Sequence, residues 1–165
     1  MNPVSPVLND QFGRRISYVR LSLTDRCDMR CRYCMAETME FLPRSEILSH
    51  EEIGVLARAF VARGVTRIRL TGGEPLARRG AVDVARDIGQ LLQNGLEELT
   101  LTTNASRLRD HAKGLRDAGI ERINISLDTR DPDKFSHVTR LGNLTRVLDG
   151  IAAANSAGRI AKYFD

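Results

Sequence analysis

Cys27, Cys31 and Cys34 are the only cysteines in this chain of 165 residues. They stand at C-x3-C-x2-C spacing inside Thr24-Asp25-Arg26-Cys27-Asp28-Met29-Arg30-Cys31-Arg32-Tyr33-Cys34. Three thiolates on one short loop can hold three corners of an iron–sulfur cube and leave the remaining iron with an open coordination site. An open iron can bind and reduce a small molecule, whereas a fully ligated cluster can only pass electrons. A zinc knuckle is the competing reading, but it normally takes four Cys or His ligands. The three histidines, His50, His111 and His137, all lie away from the loop in sequence. A thioredoxin-like role for Cys31-Arg32-Tyr33-Cys34 fits less well, because that redox pair belongs alone at a helix start. An odd, clustered set also argues against a disulfide framework.

A second group of residues accompanies the cysteines. Thr71-Gly72-Gly73-Glu74-Pro75 reads as a strand-to-helix turn in which glycines relieve backbone strain or let the backbone touch a ligand. Arg20 and Arg69 fall inside strand patterns. Parallel strands covered by helices are normally apolar, so an arginine there should face a polar cavity and meet an anion. Guanidinium pairs with phosphate through two parallel hydrogen bonds, which makes a phosphate-bearing substrate the fitting anion. Asn104, Asn124 and Ser126 read either as ordinary strand-end residues or as part of the same rim.

The elements that must carry these residues repeat as strand, loop and helix. Strands are expected at 16–23, 66–70, 96–102 and 120–127, and a fifth begins at 159–164. Helices are expected at about 49–63, opened by the Ser49/Glu52 capping box and closed by Gly64, then at 80–93, 107–118 and 144–157. The stretch around Asp131-Pro132-Asp133 reads as a charged turn, and Met1–Gly13 as a loose lead-in. Strands alternating with such helices imply an α/β fold with a parallel sheet, either doubly wound or a βα barrel. In both, ligands gather at the C-terminal ends of the strands. The cysteines follow strand one, Gly-Gly-Glu-Pro follows strand two, Thr102-Thr103-Asn104 follows strand three, and Ser126 and Asp128 end strand four.

Composition sets the bounds. Hydrophobic content of 42% and charged content of 28% are ordinary for a globular domain. Tryptophan is absent, so the core is expected to be mostly aliphatic. The net charge of +4 comes without any long block of like charge, which argues against a nucleic-acid tail. No apolar run approaches a membrane span, and the N-terminus lacks the pattern of a secretory signal. No membrane or nucleic-acid partner and a cytoplasmic location are therefore expected, a compartment that keeps thiols reduced for metal.

The cysteine loop, with an aromatic residue at Tyr33, resembles the hallmark of the radical S-adenosylmethionine (SAM) enzymes. Further runs resemble the MoaA-type GTP 3′,8-cyclase family of molybdenum-cofactor biosynthesis. These are Arg20-Leu-Ser-Leu-Thr-Asp-Arg-Cys27, Cys34-Met-Ala-Glu, Phe41-Leu-Pro-Arg44, Arg69-Leu-Thr-Gly-Gly-Glu-Pro75, Leu101-Thr-Thr-Asn104 and Arg122-Ile-Asn-Ile-Ser-Leu-Asp128. The resemblance covers about Phe12 to Lys162 and implies a partial TIM-type barrel of the radical SAM kind, with about four and a half βα units. It implies a 4Fe–4S cluster on Cys27, Cys31 and Cys34, with SAM chelating the open iron. Tyr33, Gly73 and Ser126 match SAM-binding positions, and Arg20, Arg69, Thr102 and Lys162 match positions that hold GTP. The implied reaction is that of a lyase. An external donor supplies one electron, SAM yields a 5′-deoxyadenosyl radical, and GTP becomes (8S)-3′,8-cyclo-7,8-dihydroguanosine 5′-triphosphate.

After the lead-in over residues 1–13, the same resemblance implies an incomplete core domain over residues 14–165. Family members are about twice as long and carry a second cysteine trio for a guanine-binding cluster, which this sequence lacks. The chain therefore reads as a truncated product in which SAM cleavage is expected to outlast GTP cyclisation. A homodimer stays open. So do a radical SAM enzyme acting on another substrate, such as a peptide, and a zinc- or partner-binding fragment without catalysis.

Overall fold

The computed structural model describes residues 7–158 and the backbone of residues 161–164. Five strands, β1 (Tyr18–Ser22), β2 (Arg67–Thr71), β3 (Glu98–Thr103), β4 (Arg122–Ser126) and β5 (Ala161–Phe164), form one parallel sheet in the order β1-β2-β3-β4-β5. Helices α1 (His50–Ala62), α2 (Ala81–Gly89) and α3 (Leu108–Asp117) each connect consecutive strands, while α4 (Pro132–Thr139) and α5 (Leu144–Ser156) together connect β4 to β5. A doubly wound sheet reverses its strand order at a switch point. Here each strand is laid beyond the last, the winding of a βα barrel. The strictly sequential order decides between the two closures that the sequence left open, in favour of the partial barrel.

The strands alternate between two chemistries. Leu21, Ile68, Leu70, Leu99, Leu101, Ile123 and Ile125 are buried beneath the helices. At the intervening positions stand Tyr18, Arg20, Arg67, Arg69, Glu98, Thr100, Thr102, Arg122, Asn124 and Ser126. Period-two alternation puts this second set on the opposite face, the face that lines the interior in a barrel winding. The core is aliphatic, with Phe135 its one buried aromatic among the described residues. Each such side chain contributes roughly 1.5–3 kcal/mol by leaving water.

Helix boundaries follow local chemistry. Ser49 Oγ accepts from Glu52 N–H at 3.1 Å and Glu52 Oε2 accepts from Ser49 N–H at 2.7 Å, the reciprocal capping box expected of α1. The helix expected over 80–93 divides into α2 and a 3₁₀ turn, Gln90–Gln93. The junction falls at Gly89, where a Cβ would overlap the Ala118 carbonyl oxygen at the end of α3. Gly89→Ala is therefore expected to lower stability by about 1–3 kcal/mol through overpacking. Thermal unfolding should read this as a melting point lower by several degrees.

The larger difference is α4, which lies where only a charged turn was expected. Asp131 Oδ1 accepts from the Asp133 and Lys134 amides at 3.0 Å, and Pro132 occupies the first helical turn. These are helix-start signals, here on a helix that buries only Phe135 and Thr139. At the other end of the chain, Leu8 packs on the core and its N–H donates to the Arg63 carbonyl, so the described part of the lead-in is anchored. Residues 1–6 lie outside the described residues.

Candidate functional site

The cysteine loop begins just after β1 and is gripped from two sides. From one side, α4 supplies its C-terminal end. The Arg30 and Arg32 amides donate to the Thr139 and Val138 carbonyls at 3.0 and 2.9 Å. Arg140, in the left-handed region at φ 59°, turns its guanidinium onto the Arg30 and Met35 carbonyls. The element missed in the sequence is therefore one that positions the loop.

From the other side, the Gly-Gly turn after β2 is stitched to the loop's entrance. Gly73 N–H donates to Thr24 O at 2.7 Å and Glu74 N–H to Arg26 O at 2.8 Å. A Cβ on Gly72 would overlap the Thr24 carbonyl, and one on Gly73 would overlap the Arg26 carbonyl. Both glycines are therefore required for backbone-to-backbone packing of the two loops, whatever a ligand adds.

The three thiols are free. Cys27 and Cys31 pack half-buried against the core, while Cys34 is exposed. Burial pushes the Cys27 and Cys31 thiols up, and the Asp128 charge adds to the effect at Cys31. Such thiols ionise readily only when a metal supplies the compensating charge. Among the described residues, no three His, Cys, Asp or Glu side chains converge as a single metal ion requires. A cluster takes each thiolate on a different iron, so three reduced thiols along one loop suit it without convergence on a point.

Tyr33 reaches from the loop to the end of β4, its hydroxyl donating to Asp128 Oδ2 at 2.9 Å. Ser126 is exposed on the polar face of β4. On that face, Arg69 donates from Nε to Thr100 Oγ1 at 3.4 Å and lies over the Tyr18 ring, 5.5 Å from its centroid. With the Asn124 amide oxygen oriented towards Arg69, it accepts from Nη1 and Nη2 at 3.2 and 3.1 Å. Arg20 is exposed, one strand over and in register with Arg69. Neither arginine has an acidic partner among the described residues, whereas Arg122 on the same face pairs with Glu98 at 2.7 Å. Thr102 is in register with Asn124, and Asn124 with Lys162, whose side chain lies outside the described residues. The cysteines, Tyr33, Gly73 and Ser126 thus share the rim, and Arg20, Arg69 and Thr102 share the adjoining face.

Sequence reasoning named Glu74 only as part of a turn. Glu74 is 1% exposed, and its carboxylate is fully engaged. It accepts from Leu76 N–H at 2.9 Å, Thr103 Oγ1 at 2.8 Å and Asn104 N–H at 2.7 Å, tying the rim of β2 to that of β3. Burial pushes its pKa up to about 7, and the Asp28 charge pushes the same way, against those three donors. A raised carboxyl pKa means that the folded chain holds the proton more tightly than the unfolded one. The ionisation penalty is absent below about pH 4.5 and complete above about pH 7. Folding stability of the metal-free protein is therefore expected to fall by roughly 3 kcal/mol across that window through this group. Denaturant titrations at both ends of the window check this, and Glu74→Gln should remove that part of the slope.

A family model described as the radical SAM superfamily matches residues 21–164. GTP 3′,8-cyclase of Erythrobacter litoralis (strain HTCC2594) is 60% identical over 151 residues, which are 92% of this chain and 46% of that protein. GTP 3′,8-cyclase of Bradyrhizobium diazoefficiens is 52% identical over 160 residues, 96% of this chain and 46% of that protein. The chain thus spans a little under half the length of these curated relatives. Among solved structures, Streptococcus suis SuiB bound to precursor peptide SuiA superposes with a TM-score of 0.72 at 17% identity, covering 90% of this chain and 32% of that one. Methylornithine synthase (PylB) superposes with a TM-score of 0.67 at 13% identity, covering 90% and 44%. At such identities these two structures speak to the fold.

Proposed function

The chain belongs to the radical SAM superfamily, and from that membership we propose that residues 14–165 form radical SAM core structure serving GTP 3′,8-cyclisation. When bound, a 4Fe–4S cluster together with SAM would supply one-electron chemistry and a radical able to abstract hydrogen. The residues of this chain divide the remaining work. Cys27, Cys31 and Cys34 hold the cluster. Gly73 has committed its N–H to Thr24, so its carbonyl is the group left to accept from the amino group of SAM. Tyr33, fixed by Asp128, closes one side of the SAM site, and Ser126 offers a hydroxyl to the nucleoside part.

Arg20 and Arg69 take the anionic end of GTP, with Thr102 and Lys162 beside them. The observation that carries the reading is the adjacency of three free thiols on the rim to two arginines that have no acidic partner among the described residues, on the adjoining face. Asn124 and Thr100 hold the Arg69 guanidinium in place before any substrate arrives, which lowers the entropic cost of binding.

The test is anaerobic reconstitution of the 165-residue chain with iron and sulfide, followed by dithionite and SAM. Release of 5′-deoxyadenosine is expected, and reconstituted protein that leaves SAM intact would overturn the assignment. Calorimetry separates GTP from a peptide or other substrate. GTP is expected to bind, and Arg69→Met to weaken it by roughly 10- to 100-fold, the loss of charge-assisted hydrogen bonds. Absence of GTP binding would leave the family standing and remove the substrate.

A further inference from the structure

Cys27 differs from the other two thiols in what surrounds its sulfur. Met29 N–H donates to Cys27 Sγ at 3.4 Å, and the Asn104 side-chain amide donates to it at 3.8 Å. Asn104 sits at the C-terminal end of β3, across the rim from the cysteine loop, and is fixed at every polar atom that reaches this corner. Its backbone N–H donates to buried Glu74 Oε2 at 2.7 Å. Its Oδ1 accepts from Ser106 N–H at 2.9 Å, so the other end of the amide is the donor. That donor is shared between Cys27 Sγ and Asp28 Oδ1, the latter at 2.9 Å. The next residue, Ala105, is completely buried with a left-handed φ of 62°, a conformation that a non-glycine residue keeps only where its surroundings enforce it. Asp28 is held in turn by Ser106 Oγ at 2.6 Å and by Arg107 Nε at 3.3 Å.

We propose that Asn104 is a positioning residue that sets the reduction potential of the cluster by donating a hydrogen bond to the Cys27 sulfur. The inference rests on the reading that Cys27 ligates a cluster. A donor aimed at a ligating sulfur stabilises the reduced, more negative form, and hydrogen bonds to sulfur are an established lever on cluster potential. The rigid frame of Glu74, Ser106 and Ala105 gives the amide a fixed direction, so the donor costs little reorganisation when the electron arrives. Asp28 works in the opposite sense. Its carboxylate beside Cys27 disfavours the extra electron, and Asn104, Ser106 and Arg107 offset that charge.

The test is a redox titration of the reconstituted full chain, with dithionite as the one-electron donor and the reduced cluster followed by electron paramagnetic resonance. Asn104→Ala removes the donor. Asn104→Asp removes it and adds a carboxylate at nearly the same shape. Both are expected to lower the equilibrium constant for reduction, Asn104→Ala by up to about tenfold and Asn104→Asp by more. Tenfold corresponds to about 59 mV for a one-electron couple. Asn104→Ser, which keeps a short donor, should lie between wild type and Asn104→Ala. Iron and sulfide are measured on every sample. Variants with full iron content and an unchanged potential would overturn the inference alone. A wild-type chain that takes up no cluster would overturn the underlying reading and the inference with it.

Discussion

Replacing Cys27 with serine is expected to leave a folded chain that no longer takes up iron. The other two cysteines supply only two corners of a cube, and a neutral hydroxyl is a poor substitute for a soft thiolate on iron. Folding should change little. Serine matches the shape of cysteine, and its Oγ can accept from Met29 N–H and the Asn104 amide as Sγ does. Iron after anaerobic reconstitution should drop from about four per chain to well below one. The unfolding free energy of the metal-free protein should move by no more than about 1 kcal/mol. Cys34→Ser should lose iron to the same extent with still less effect on stability, because Cys34 is exposed. Full iron retention in either variant would show that the three thiols are not the ligands.

Gly73→Ala is the second large effect, and its cause is steric. The added Cβ would overlap the Arg26 carbonyl, with the Arg26 carbonyl carbon and Asp25 oxygen close behind at 2.6 and 2.7 Å. All three are backbone atoms directly ahead of Cys27, so relief must come from moving the entrance of the cysteine loop. The move would also break Gly73 N–H to Thr24 O and Glu74 N–H to Arg26 O. A stability loss of about 2–4 kcal/mol is expected from overpacking and two lost hydrogen bonds. SAM affinity should fall by roughly 100-fold or more, since about 3 kcal/mol of misplacement acts on the same rim. Gly114→Ala is the control. Its Cβ would meet only Val82 side-chain atoms, which can give way, and no backbone of the cysteine loop. Equilibrium unfolding and SAM calorimetry on both variants check the contrast.

The residues proposed to bear the chemistry were legible because they break local rules. Clustered cysteines, paired glycines at a strand end and arginines within strands have no place in an ordinary aliphatic α/β core, and the structure gathers them on one rim and the adjoining face. The strands were legible to within one or two residues because their apolar positions recur with period two. What was not legible depends on chain separation. Tyr33 and Asp128 meet across 95 residues, and Asn104 and Cys27 across 77, so no local pattern announces either contact. The role of Glu74 was hidden for the same reason, since two of its three donors, Thr103 and Asn104, come from another strand end. Helix α4 is a different case. Asp131 and Pro132 are a cap and a first-turn proline, but the short helix that they open shows too little apolar periodicity to distinguish it from a turn.

Metal and sulfide analysis of the anaerobically reconstituted chain bears most directly on the account. About four irons with matching acid-labile sulfide per chain are expected, together with the loss of both in Cys27→Ser. Stoichiometric zinc that iron and sulfide cannot displace would contradict it, because the three thiols would then serve a structural ion with no open iron for SAM.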